Sequence, residues 1–181
     1  MEKKTKIFFI VLLVVILALA IFLLNKIFRG GTCCVEDYQN SDLKGQINQM
    51  FSENKQNIIL YPSSGKVRIE MGTPDFGIAL AAKTSDESSS EEERLKYTIT
   101  LTKEAKDCVE VLGEEEVSNI IDQKLGVMNN FNEYEGSKSY TTISFDIPQD
   151  ASKCAQKINI EAFDTKTNES LGNVSLQFEI I

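Results

Sequence analysis

Residues 7–24 read IFFIVLLVVILALAIFLL, eighteen positions without a polar side chain. As a helix the run extends about 27 Å, close to the hydrocarbon thickness of a bilayer. Sixteen of the eighteen are Ile, Leu, Val or Phe, each contributing roughly −0.3 to −0.6 kcal/mol at the centre of a spanning helix. A chain that opens this way is expected to be held by one N-terminal transmembrane helix, with the lipid bilayer as the partner of residues 7–24. Lys3, Lys4 and Lys6 precede the run and Lys26 and Arg29 follow it. That balance leans to a cytoplasmic N-terminus and an extracytoplasmic C-terminal domain at the cell membrane. Ala18-Leu19-Ala20 matches a signal-peptidase site, but cleavage there would leave Ile21–Leu24 exposed, and the run exceeds a typical signal-peptide core. A pilin-type leader would need a cleavable polar site ahead of the run and a Glu just inside it, and the sequence has neither.

The remainder divides into a juxtamembrane segment, residues 30–55, and a folded part, residues 56–181. Beyond Gly30 there are 14 basic and 26 acidic residues, a formal charge of 14 − 26 = −12. Such a surface repels phosphate backbones, so no nucleic acid is expected as a partner. The chain contains no His and no Trp, which removes the commonest general base and transition-metal ligand.

Leu43, Ile47, Met50 and Phe51 fall at helical spacing, with Asn40 or Ser41 as N-cap, and predict an amphipathic helix interrupted by Gly45. Then period two takes over. Val67, Ile69 and Met71 alternate with polar residues, as do Leu95, Tyr97, Ile99 and Leu101, and Phe76, Ile78, Leu80 and Ala82 fall on one face. Thr141 to Ile147, Ile158 to Ala162 and Val174 to Ile180 repeat the pattern, and Asn57–Tyr61 is a short apolar run. Seven one-faced strands predict an antiparallel β-sandwich. Pro62–Gly65 and Thr73–Asp75 read as turns between neighbouring strands, and Asp164–Glu169 as the last hairpin turn. A helix is expected over residues 114–125, with Val117, Ile120, Ile121 and Leu125 on its buried stripe. The acidic segment TSDESSSEEER, residues 84–94, has no apolar residue and is expected to be a mobile loop with nothing to bury.

Four cysteines allow three full pairings. Cys108 follows one strand and Cys154 precedes another, the best placement for a staple between β elements. Adjacency strains a Cys33–Cys34 bridge; one reading of these two is a link to a second chain at the membrane surface, a disulfide-linked dimer, and the alternative, should the orientation be reversed, is palmitoylation. Asn168 and Asn173 begin N-x-S sequons.

Two S-x-x-K patterns occur, Ser41–Lys44 and Ser63–Lys66. Either could pair a serine nucleophile with a lysine base, but no companion motif accompanies them. The triplets Glu91–Glu93 and Glu114–Glu116 lack EF-hand spacing, and the cysteines lack the paired spacing of a zinc site. No cofactor and no metal are expected.

From Ile147-Pro148 through Cys154 to the closing stretch KINIEAFDTKTNESLGNVSLQFEI, the chain resembles the last strands of immunoglobulin-like sandwiches in small archaeal surface proteins. The resemblance covers roughly a quarter of the chain and implies a non-catalytic surface domain. The expectation is therefore a mainly β protein: an N-terminal transmembrane helix, then an immunoglobulin-like sandwich with one or two short helices. Its role would be to bind a protein partner at the cell surface or to build an envelope. The alternatives are an accessory subunit of a membrane complex and an anchored Ser–Lys hydrolase.

Overall fold

A computed structural model describes residues 41–88, 90–104 and 107–181. The apolar run 7–24 and Cys33 and Cys34 lie outside the described residues, and no helix among the described residues is long and apolar enough to cross a membrane.

The chain builds helix α1 (Ser41–Asn54), then β1 (Ile58–Tyr61), β2 (Lys66–Ile69), β3 (Phe76–Lys83) and β4 (Leu95–Thr102). Two short helices follow, α2 (Cys108–Leu112) and α3 (Glu114–Ile120). The series ends with β5 (Met128–Asn130), β6 (Glu133–Glu135), β7 (Lys138–Phe145), β8 (Cys154–Asp164) and β9 (Glu169–Ile180). One sheet has the order β1-β3-β7-β6 and the other β2-β9-β8-β4-β5. This is the division of an immunoglobulin-like sandwich, with β1, β3, β7 and β6 on one side and β4, β8 and β9 on the other, the second sheet extended at its edges by β2 and β5.

The alternating positions named from sequence meet between the sheets. Ile78 and Leu80 of β3, Ile99 of β4, Ile143 and Phe145 of β7, Ile158 and Ile160 of β8 and Phe178 of β9 are fully buried in one core. Aromatic edges fill its middle, with Phe145 and Phe178 centroids 5.1 Å apart.

Three expectations are corrected. The first concerns strand direction: β2 pairs with β9 in parallel, Val67 opposite Phe178 and Ile69 opposite Ile180. Pro62–Gly65 is not a turn between bonded neighbours; it carries the chain from one sheet to the other, as does Thr73–Asp75. Gly65 makes the first crossing possible. Its φ is +61°, and a Cβ there would stand 2.9 Å from the Ser175 carbonyl oxygen. The Gln177 N–H donates to the Gly65 carbonyl at 2.8 Å.

The second correction is to the helix expected over 114–125, which ends at Ile120. Ile121 turns extended and bridges Phe145, and the Asp122 N–H donates to the Ser144 carbonyl at 3.0 Å. Pairing with β7 thus satisfies backbone groups that a longer helix would have used. Strands β5 and β6, three residues each, were not expected at all.

The third correction is to residues 84–94. Thr84, Ser90 and Arg94 are buried. The segment is tied to one hairpin by Thr84 N–H to Ser137 O at 2.9 Å and Ser90 N–H to Gly136 O at 2.6 Å. To the other hairpin it is tied by Thr165 N–H to Arg94 O at 2.8 Å.

Candidate functional site

The two sheets treat their outer faces differently, and that difference defines the candidate site. Outward positions of the four-stranded sheet are Ile59, Ala79, Ala81 and Tyr140, and all are buried. Helix α1 covers them with Leu43, Ile47 and Phe51, the stripe read from the sequence. The alanines present little bulk, so the helix can lie close. Polar contacts fix its rim: Lys138 Nζ donates to Asn48 Oδ1 at 2.6 Å, and the Tyr140 hydroxyl reaches the same oxygen at 3.2 Å.

No described helix covers the five-stranded sheet. Its register lines up outward side chains in rows across the strands. One row runs Lys66, Gln177, Lys157, Thr102; the next Ser175, Asn159, Thr100; the next Asn173, Glu161, Thr98, Met128. These are short, mostly polar side chains on a sheet whose backbone is already paired, and Thr100, Lys157, Asn159, Asn173, Ser175 and Gln177 are all exposed. Ser175 Oγ and Asn159 Oδ1 lie 2.7 Å apart, and Arg68 Nε donates to Glu179 Oε2 at 2.8 Å. At one end, a cleft of about 420 Å³ opens beside Ser64, Lys66, Lys157, Ser175 and Gln177.

The cysteines read as a staple are joined: Cys108 and Cys154 form a disulfide with Cα atoms 5.0 Å apart. It ties the start of α2 to the start of β8. Asp107, just before it, caps α2 by accepting from the Glu110 N–H at 2.9 Å, and it also accepts from the Glu104 N–H at 2.8 Å. Those backbone donors hold its carboxyl below the usual range.

Sequence reasoning missed one buried charge cluster. Arg94 lays its guanidinium against Asp164, with Nε to Oδ2 at 3.0 Å and Nη2 to Oδ2 at 2.6 Å. Nη2 also donates to Asp86 Oδ1 at 3.0 Å and Nη1 to the Ser88 hydroxyl. Burial is the largest single influence on the Asp164 carboxyl and pushes it up, but the hydrogen bonds and charge of Arg94 together with the Lys166 and Thr167 N–H groups outweigh it, and the net shift is downward. Asp86 is lowered to about 2, first by the Ser88 hydroxyl and then by Arg94. The only basic residue in an acidic run was the available signal. The cluster is a clamp: each charged group spends its capacity on another.

The Ser–Lys readings fare poorly on geometry. Lys44 Nζ lies 2.8 Å from Glu133 Oε2 and 3.9 Å from Glu135 Oε2. The Glu133 hydrogen bond raises its pKa despite partial burial, opposite to what a lysine base requires. In the second pattern, Ser63 lies in the Pro62–Gly65 crossing and Lys66 on β2, both exposed. Among the described residues no group of three or more His, Cys, Asp or Glu side chains could hold a metal ion. Of the sequons, Asn168 sits in the β8–β9 turn with φ +58°, and Asn173 stands on the open face.

No protein-family model and no curated protein matches the sequence. Among solved structures, the chain is similar to a GspB Siglec domain at TM-score 0.45 and 11% identity, over 71% of this chain and 59% of that one. It is also similar to a PapD-like domain of human CEP192 at TM-score 0.38 and 10% identity, over 69% and 84%. A third likeness is to a family 123 glycoside hydrolase from Clostridium perfringens, at TM-score 0.34 and 12% identity over 64% and 23%. Scores and identities this low assign no family and no activity.

Proposed function

We propose that the chain is a single-pass membrane protein that presents this sandwich outside the cytoplasm and recognises a protein partner through the open face of the five-stranded sheet. The observation that carries the reading is the asymmetry of the two outer faces. One is closed by α1 and spent on stability; the other leaves exposed Thr, Asn, Ser, Gln and Lys side chains on a sheet whose three central strands are paired on both sides. Rigid presentation lowers the ordering cost of binding. The Cys108–Cys154 bridge supports an oxidising, extracytoplasmic setting, and the apolar run 7–24 supports the anchor. Of the two sequons, Asn168 would carry a glycan clear of the face. Lys44, held charged by Glu133, argues against the hydrolase alternative.

The test is site-specific photo-crosslinking in intact cells that express the full chain. A photoreactive residue at Thr100, on the open face, is expected to yield a protein adduct. One at Gln46, on the exposed side of α1, is not. Adducts at Gln46 with none at Thr100 would overturn the reading.

A further inference from the structure

Helix α1 stands outside the packing that holds the rest of the domain together. The core between the sheets contains no residue of α1. Leu43, Ile47 and Phe51 instead form a second cluster with Ile59, Ala79, Ala81 and Tyr140. The two ties between distant parts of the sandwich, Cys108–Cys154 and Arg94–Asp164, also leave α1 out. Lifting the helix away would uncover two alanines, one isoleucine and one tyrosine, and every strand would keep its neighbours.

The helix is also weak in itself. Its 14 residues lie near the length below which an isolated helix is marginal in water. Gly45 sits in the second turn, where a Cβ would meet nothing within 4 Å. The glycine therefore answers no packing need, and it lowers the stability of the helix. Ser52 Oγ donates back to the Asn48 carbonyl at 3.1 Å, a bond that slightly weakens helices. Just past the last turn, Lys55 is left-handed with φ +51°, a conformation that a lysine adopts at a cost. Side chains hold the helix down. Lys44 reaches Glu133 at 2.8 Å and Glu135 at 3.9 Å, and the Lys83 and Lys138 ammonium groups stand 5.8 and 5.9 Å from the centre of the Phe51 ring.

We infer that α1 is a strap: it opens and recloses as a unit on an intact sandwich, and it yields first when the chain is pulled from its N-terminal side. A pull from the apolar run 7–24 travels along the chain and enters the described domain at Ser41. The docking of α1 thus feels the force before any strand does. Opening converts about 21 Å of helix into a tether of up to about 50 Å. The open face belongs to the other sheet and keeps its shape. The source of the pull rests on the anchor reading above; the separate opening of α1 does not.

The experiment holds the full chain in a surface-bound nanodisc and pulls it by a handle at Thr100 with magnetic tweezers. A second preparation, in detergent, replaces the nanodisc with a handle at Gly30. Two events are expected: a short, reversible extension below about 50 Å, then a much longer one. At fixed force, Gly45→Ala should lower the open-to-closed ratio of the short event about two- to fivefold. It should leave the long event unchanged, because α1 is already open when that event begins. Ile158→Val, between the sheets, should do the reverse, hastening the long event and leaving the short ratio within about twofold. A single event that takes α1 and the sandwich together would overturn the inference. So would a short event that is indifferent to Gly45→Ala or that moves with Ile158→Val. If both events appear from the Gly30 handle while the nanodisc gives no tether, the strap stands and the anchor falls. If the nanodisc holds and only one event appears, the anchor stands and the strap falls.

Discussion

The sides of the two sheets that turn away from the shared core are built from different residues. Under α1 stand Ile59, Ala79, Ala81 and Tyr140, none more than 2% exposed. On the far side stand Thr98, Thr100, Thr102, Asn159 and Ser175, half-buried or exposed. Alanine allows a helix to lie close. Threonine keeps the β-branched shape that suits a strand while leaving a hydroxyl for water or a partner. The distinction is already visible along single strands: β3 reads FGIALAAK, with no polar side chain from Phe76 to Ala82, whereas β4 reads LKYTITLT. A strand covered on both faces loses its alternation, and one with a wet face keeps it.

If one face serves stability and the other contact, substitutions should sort accordingly. The largest losses should come where the two sheets are clamped at one end. Arg94 joins the loop over 84–94 to Asp164, so Arg94→Ala strands a carboxylate that has no exposed surface and should cost roughly 3–5 kcal/mol in chemical denaturation. The same pair sets an acid limit. Because the folded Asp164 carboxyl lies below its ordinary value, its stabilisation is complete above the unfolded pKa of about 4 and is lost as pH falls through the folded value. Asp164→Asn should therefore flatten the acid side of the stability profile while lowering its plateau.

Close behind comes the disulfide. Its partners are 46 residues apart in sequence, so replacing both cysteines with alanine should cost about 4 kcal/mol, read from the shift in denaturation midpoint. On the covered face, Ile47 is fully buried, and Ile47→Ala should cost about 3 kcal/mol. An equal cost from Thr100→Ala would break the comparison. That change, at an exposed position, should stay within about 0.5 kcal/mol.

Much of this was legible in the sequence, and the rest failed for identifiable reasons. The stripe of α1, the inward faces of β3, β4, β7, β8 and β9 and the Asp164–Glu169 hairpin all follow from local periodicity. Sheet membership does not. Pro62–Gly65 carries turn residues, but whether it reverses a strand or crosses between sheets depends on β9, more than a hundred residues later in the chain. Strands β5 and β6 are too short to show a period. The Arg94 clamp hides for a similar reason, since Asp164 is 70 positions away. The candidate face was half visible: Thr98, Thr100 and Thr102 stood out as the polar side of a strand. That it stays uncovered depends on α1 choosing the other sheet, a choice made by Ala79 and Ala81 that the alternating reading of β3 passed over.

The most direct test measures stability and contact on one variant of the full chain, Thr100→Arg. Its denaturation midpoint should match that of the unaltered chain, while a photo-crosslinker at neighbouring Asn159 should lose its protein adduct. A midpoint lowered as far as that of Ile47→Ala, with the adduct retained, would show that the open face serves the fold and that recognition lies elsewhere.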